Sequence, residues 1–206
     1  MLQNEQLSKQ LVQVELQSLK SQLNPHFLFN TLNTISSLIR LDNKTKAVKA
    51  LSELSLMLRK VLENRDNQFI TLNEELAFIN SYLTIQKMRF EDKLSTDIDI
   101  ENNCLAAKIP FMLLQPLVEN AVKYAIEPRK QDGFITIAAE QLNGRLVIDV
   151  LDNGNGKNDE VSKGLGIGIS NTKARLDAMF NGDYEINITS NSHNGTTVSI
   201  SIPLRQ

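Results

Sequence analysis

Residues 145–171 read RLVIDVLDNGNGKNDEVSKGLGIGISN. The opening segment places apolar side chains on alternate positions, as a strand with one buried face does, and then stops abruptly in Asp152, Asn153 and Gly154. Such a strand needs neighbours of its own kind. Three segments share the alternation: FITIAAE (134–140), YEINITS (184–190) and TTVSISI (196–202). Helical patterns lie among them at LNEELAFINSYLTIQKMRF (72–90), PFMLLQPLVENAVKYAI (110–126) and ISNTKARLDAMF (169–180). Thr71 stands as an N-cap for the first of these, ahead of Glu74 and Glu75. All nine glycines fall after position 132. Together these features predict an α+β region with helices over one face of a mixed sheet.

Upstream the pattern changes. From Leu7 to about Leu62 there is no glycine and one proline, and apolar residues recur at steps of three and four: Val12, Leu16, Leu19, Leu23, then Val48, Leu51, Ser55, Leu58 and Leu62. This predicts a helical hairpin turning near LDNK (41–44). Two helices with one apolar stripe each cannot bury both stripes alone, so a homodimeric four-helix bundle is expected. ENRDNQFIT (63–71) is the expected joint, with one domain over 1–66 and a second over 67–206.

Composition narrows the function. A net charge of −2 over 206 residues gives no general basic excess of the kind that nucleic acid or an anionic membrane selects, so any phosphate binding must be local. Cys104 is the only cysteine, which rules out an intrachain disulfide and a cysteine-based zinc site and suits a reducing, cytoplasmic setting. No segment has the length and apolarity of a membrane span, and MLQNEQLSKQ lacks the blocks of a signal peptide. A helix beginning so abruptly is expected to be the cut end of a longer protein.

Three motifs carry candidate chemistry. DNGNG (152–156) suits a hairpin turn, or a site where Asp152 accepts a hydrogen bond from a ligand that backbone can approach at Gly154 and Gly156. It is a poor calcium loop, with glycines at the third and fifth ligand positions and Lys163 in place of the closing glutamate. GLGIGISN (164–171) opens the helix that follows, as a flexible turn or as an anion site built from N-terminal N–H groups. The spacing of Gly164, Gly166 and Gly168 fits neither the dinucleotide fingerprint nor the Walker loop. The polar KNDEVSK (157–163) between the two reads as a mobile lid. In LLQPLVENAVKYA (113–125), Asn120, Lys123 and Tyr124 share a face at helical spacing. An amide oxygen there can hold Mg²⁺ and an ammonium can meet phosphate. The plainer reading is a Glu119–Lys123 surface pair worth only about 0.2–0.5 kcal/mol.

The order of these motifs resembles the N, G1, G2 and G3 boxes of the ATP-binding domain shared by histidine kinases, Hsp90, gyrase and MutL. The blocks LKSQLNPHFLFNTLNTISSLI (19–39) and LNEELAFINSYLTIQKMRF (72–90) are similar to the LytS/YehU type of bacterial sensor histidine kinase. The resemblance implies a Bergerat-type α/β sandwich following the hairpin. It implies ATP and Mg²⁺ as ligands, His26 as phosphoacceptor, Asn120 as Mg²⁺ ligand, Lys123 as a phosphate contact, and Tyr124 beside them. Asp152 becomes the adenine contact, Gly154, Gly156, Gly164, Gly166 and Gly168 shape the pocket and lid, and Gly195 and Thr196 lie near the adenine. Its implied partners are a second copy of the chain and the receiver domain of a response regulator, of the LytTR type among others, with a membrane anchor upstream in the full-length protein.

Several positions depart from that pattern. Tyr124 stands where this type commonly has histidine, Asn155 where proline is frequent, and Pro116 where the gyrase and Hsp90 relatives place a water-activating glutamate, which argues against simple ATP hydrolysis. Phe27 follows His26 in place of an acid, leaving Glu119 as the candidate proton acceptor beside its surface-pair reading. An imidazole of ordinary pKa, near 6.5, is largely neutral at pH 7 and a competent nucleophile. Asn30, four residues on, shares its helix face and either orients the ring or makes a polar bundle contact. His193 reads as a surface residue. The charge-free run from Ser21 to Ile39 is a docking surface on this reading, and Pro25 predicts a bend just before His26. Two alternatives stand beside a kinase: a non-enzymatic dimer switched by ATP, and a phosphatase-biased protein that uses Asn30 to hold a water.

Overall fold

A computed structural model of the chain describes residues 25–64, 67–127, 132–154, 159–190 and 195–205. It divides into two compact units, Met1–Val61 and Leu62–Gln206.

The described part of the first unit is a helical hairpin of α1 (Pro25–Arg40) and α2 (Lys44–Glu63), whose last two residues pass into the second unit. The turn forms at 41–43, with Asp42 at φ 54°, and the Lys46 N–H donates to Asn43 Oδ1 at 3.3 Å, an N-cap type of bond. On α2 the buried row is Ala47, Ala50, Leu54, Met57 and Val61, and on α1 Phe27, Ile35 and Leu38 are buried. The stripe read from sequence, Val48, Leu51, Ser55, Leu58 and Leu62, is the next row round the helix. Val48, Leu51 and Leu62 are more than half exposed, as are Phe29, Leu32 and Ile39 of α1. The helix therefore carries two heptad rows where one was expected, because the alanines of the first row are too small to stand out in an apolar pattern. The bend expected just before His26 involves the residues preceding Pro25, which lie outside the described ones.

The second unit is a five-stranded sheet backed by helices. In chain order its elements are β1 (Phe69–Thr71), α3 (Leu72–Phe90), β2 (Leu94–Ile100), β3 (Lys108–Pro110), α4 (Gln115–Ala121), β4 (Gly133–Leu142), β5 (Arg145–Asp152), α5 (Asp159–Phe180), β6 (Glu185–Ser190) and β7 (Thr196–Pro203). The sheet order is β2-β4-β5-β7-β6, with β2 and β4 parallel and the other pairs antiparallel. Alternation fixes which face is covered: Ile135, Ile137, Leu146, Ile148, Ile200 and Ile202 are fully buried, while their neighbours in sequence are half exposed. β1 and β3 form a separate two-stranded ribbon.

Three strands are not among those read from the sequence. β2, LSTDIDI, alternates as the others do but carries exposed Asp97 and Asp99, which mask its periodicity. β1 and β3 are three residues long and pair across about 40 positions, a contact that no local pattern reveals. α3 opens with the capping box expected of Thr71, whose Oγ1 accepts from the Glu74 N–H at 3.2 Å while Glu74 Oε2 accepts from the Thr71 N–H at 2.7 Å. It is buried on most sides, including Leu72, Leu76, Phe78, Ile79, Tyr82 and Ile85, and is the central helix of the unit.

The segment 110–126 is not one helix. Phe111–Leu114 form a turn, α4 begins at Gln115 with Pro116 in its first turn, and Val122–Ile126 continue as a π-helical turn. Proline suits that first turn, where its missing N–H costs nothing. The glycine cluster is also placed differently from expectation. α5 starts at Asp159, so Gly164, Gly166 and Gly168 lie inside a helix and do not open it, and residues 159–163 of the expected lid are helical. Interior helical N–H groups are directed to carbonyls four residues back, so the anion site expected there is not formed by these three. The three glycines weaken the helix by about 1 kcal/mol each relative to alanine. Gly156 and His193 lie outside the described residues.

Candidate active site

Asp152 ends β5 in the middle of the sheet. Its Oδ1 accepts from the Gly154 N–H at 2.8 Å and from the Thr196 N–H at 3.3 Å, so the carboxylate is held between its own turn and the start of β7. Two glycines make this close packing possible. A Cβ on Gly195 would overlap the Asp152 carbonyl oxygen and lie 2.6 Å from Asn153 Cα; one on Gly154 would lie 2.7 Å from Ala125 Cβ. The turn is thus pressed between β7 and the π turn after α4. Asn153, buried, completes the anchorage: its Oδ1 accepts from the Phe134 N–H at 2.9 Å and its Nδ2 donates to the Asp132 carbonyl at 2.6 Å.

On α4, Asn120 is half-buried and its amide nitrogen is buried with no hydrogen-bond partner. A buried amide left unpaired costs about 1–3 kcal/mol, so this one is suited to a partner from outside the protein. Glu119 accepts from Gln115 Nε2 at 2.8 Å one turn earlier. Tyr82 of α3 is pushed well above the ordinary phenol range, first by burial and then by the charges of Glu119 and Glu127, which sets both carboxylates near it. Arg89 at the end of α3 pairs with Glu127 at 2.9 Å. Lys123 is exposed, with its ammonium 4.8 Å from the ring centre of Tyr124. Lys123 and Tyr124 belong to the π turn and Asn120 to the α-helix, so the wider turn shifts the last two round the axis from the positions α spacing predicts.

Behind this helix lies Glu75, fully buried on α3. Its Oε2 accepts from the Met112 N–H at 2.9 Å, and its Oε1 accepts from the N–H groups of Leu114 at 3.1 Å and Gln115 at 3.4 Å. Burial pushes its carboxyl up to about 7, against the lowering effect of these three donors and of the Arg175 guanidinium. His26 and Asn30 belong to α1 in the other unit. Asn30 is half-buried and its carbonyl accepts from Thr34 Oγ1 at 2.8 Å; the His26 side chain lies outside the described residues. Among the described residues, no group of three or more His, Cys, Asp or Glu could cage a metal, and no helix is long and apolar enough to cross a membrane.

Residues 14–94 match the family model for histidine kinases, and residues 107–206 match that for histidine kinase-, DNA gyrase B- and HSP90-like ATPases. The chain is 40% identical over 92% of its length to the sensor protein LytS of Staphylococcus saprophyticus, covering 34% of that protein. The chain belongs to the LytS-type sensor histidine kinases. It is also 36% identical to the sensor histidine kinase YesM of Bacillus subtilis and 34% identical to BtsS of Escherichia coli K12, over 99% and 98% of this chain and 36% of each relative. This LytS-type chain thus spans about a third of the length of the curated relatives it matches. Its fold is that of histidine kinase catalytic domains. The catalytic domain of histidine kinase ThkA superposes with a TM-score of 0.51 at 17% identity, over 66% of this chain and 94% of that one. The histidine kinase domain of the Erythrobacter litoralis EL346 blue-light activated histidine kinase does so with a TM-score of 0.51 at 15% identity, over 87% and 93%.

Three residues of this region escaped the motif reading: Glu75, Asn153 and Arg175. One sequence signal was available. Glu75 falls inside the apolar row Leu72, Leu76, Ile79, where a carboxylate is out of place unless something meets it.

Proposed function

We propose that the chain is the kinase core of a two-component sensor. On this reading ATP binds the second unit, its γ-phosphoryl group passes to His26, and from there to an aspartate of a response-regulator receiver domain. The observation that carries the reading is the Asp152 carboxylate, held by two main-chain N–H groups in a cradle that any side chain at position 154 or 195 would fill. A carboxylate so positioned is suited to accept a hydrogen bond from the amino group of a base edge.

Mg²⁺ fits the same helix. The Asn120 amide oxygen would hold it together with phosphate oxygens and water, in keeping with a cation that uses few protein ligands, while the amide nitrogen, which has no partner among the described residues, would donate to a phosphate oxygen. When bound it neutralises charge on the phosphates. Lys123 supplies a mobile ammonium for phosphate, with Tyr124 beside it, and Thr196 closes the adenine side. Gly156, Gly164, Gly166 and Gly168 remain assigned to the pocket and lid. A nitrogen of neutral His26 forms the N–P bond while the bond from the γ-phosphorus to its bridging oxygen breaks and ADP leaves. Glu119 is the proposed acceptor of the imidazole proton, and Asn30 the residue that orients the ring.

The exposed rows of α1 and α2 support a homodimer joined as a four-helix bundle, with the working boundary between 66 and 67. The full-length protein is placed at the membrane, with this segment on its cytoplasmic side. The test is incubation with γ-labelled ATP. Retained label should be acid-labile and alkali-stable and absent from His26→Gln, which keeps nucleotide binding. Label on that variant moves the acceptor elsewhere; binding with no label in the wild type favours a non-enzymatic ATP switch.

A further inference from the structure

The turn Phe111–Leu114, which launches the Asn120 helix, is gripped from two sides. Met112, at its centre, has φ 57°, a left-handed conformation that costs a non-glycine residue free energy and persists only when its surroundings over-determine it. Here they do. The Met112 N–H donates to Glu75 Oε2, and the Met112 carbonyl accepts from Arg175 Nη1 at 3.1 Å. Arg175 also donates to the carbonyl of Phe111, and Glu75 Oε1 takes the N–H groups of Leu114 and Gln115. Glu75 therefore does for α4 what an N-cap side chain does, but from a position 40 residues earlier in the chain. α4 has no side-chain cap of its own.

We propose that Glu75 and Arg175 are positioning residues for the nucleotide site: by clamping Met112 they set where the Asn120 helix begins, and so where its amide points. The inference rests on the nucleotide reading above. Asn120 follows Gln115 by five residues, about 8 Å along the axis, so a tilt or register change at the turn is carried to the amide with little loss. The two clamping residues come from α3, which follows the joint from the hairpin, and from α5, seven residues beyond Gly168. The turn is thereby the point where both of those helices bear on α4.

The experiment uses the full chain and measures ATP affinity by calorimetry, thermal stability, and amide hydrogen exchange at Met112, Leu114 and Gln115. Glu75→Gln replaces the acceptor facing Met112 with an amide donor in one of its two rotamers and leaves a weaker neutral acceptor in the other. It should weaken ATP binding up to about tenfold, the loss of one hydrogen bond, with faster exchange at the three amides. Thr71→Ala removes the cap of the same helix α3 without touching the turn, and should lower stability while leaving affinity unchanged. Arg175→Gln, at an exposed position, should fold and weaken binding in the same direction, which keeps the test open if Glu75→Gln fails to fold. Wild-type affinity in both clamp variants overturns the positioning role, as does an affinity loss in Thr71→Ala equal to theirs. A wild-type chain that binds no ATP overturns the nucleotide reading, and this inference with it.

Discussion

Asp152 and Glu75 show how differently two carboxylates are used within one unit. Asp152 is half-buried and faces main-chain donors at a strand end. If its carboxylate holds the adenine, Asp152→Ala should weaken ATP binding by about 1.5–3 kcal/mol, roughly ten- to 150-fold. Calorimetry giving unchanged affinity removes it from the pocket. Glu75 is fully buried, and burial raises its carboxyl from 4.5 to about 7. An acid whose pKa rises on folding binds its proton more tightly in the native state. Its contribution to stability is complete below about pH 4.5 and is lost as pH rises through about 7, by on the order of 3 kcal/mol. Urea unfolding of wild type and Glu75→Gln across pH 4.5–8 checks this: the stability of wild type relative to the variant should fall over that window and then level off. A difference that does not change with pH would mean that the buried carboxyl is not titrating there.

At the scale of elements, α2 and α4 are each shaped by something other than their own propensity. α2 has two apolar rows because two surfaces need covering, and only the alanine-rich row is covered within the hairpin. Leu51→Lys combined with Leu62→Lys should leave the fold intact and yield a monomer by light scattering at micromolar concentration, because both leucines are more than half exposed. A dimer that survives both charges places its interface elsewhere. α4 begins late and ends in a π turn because its entry is set by Glu75 and its exit packs Ala125 against Gly154. By contrast the start of α3 is locally encoded. Thr71→Ala, which breaks the capping box, should cost about 1 kcal/mol and lower the melting temperature of the second unit. An unchanged melting temperature would show that β1 pairing alone holds that end.

For the whole molecule, the division at Val61 and Leu62 separates the helix that bears the proposed acceptor from the unit that bears the proposed nucleotide site. A fragment of residues 67–206 should therefore bind ATP with the affinity of the full chain, run as a monomer, and retain no label from γ-labelled ATP. Supplying the hairpin as a second polypeptide should restore labelling on His26 if transfer needs only encounter between the units. Loss of nucleotide binding in the fragment would mean that the hairpin contributes to the pocket.

Much of this protein is legible without coordinates. The alternation in 134–140, 145–151, 184–190 and 196–202 marks four of the sheet strands, and the glycine-free run with its turn at LDNK marks the hairpin, because both depend on periodicity within one segment. The glycines of DNG read as admitting a ligand, and NGT gains a meaning only through the resemblance; that Gly154 and Gly195 are instead packed against the protein's own backbone is seen only in the structure. What the tertiary structure alone decides are the contacts between distant segments. The parallel pairing of β2 with β4, the ribbon of β1 and β3, and the row of α2 that faces inward all rest on partners that local pattern does not name. The same holds for Glu75. Its row in the sequence calls for an apolar side chain, and a carboxyl group is accommodated there by three N–H groups some 40 residues away that converge on it, an arrangement that exists once the chain has closed.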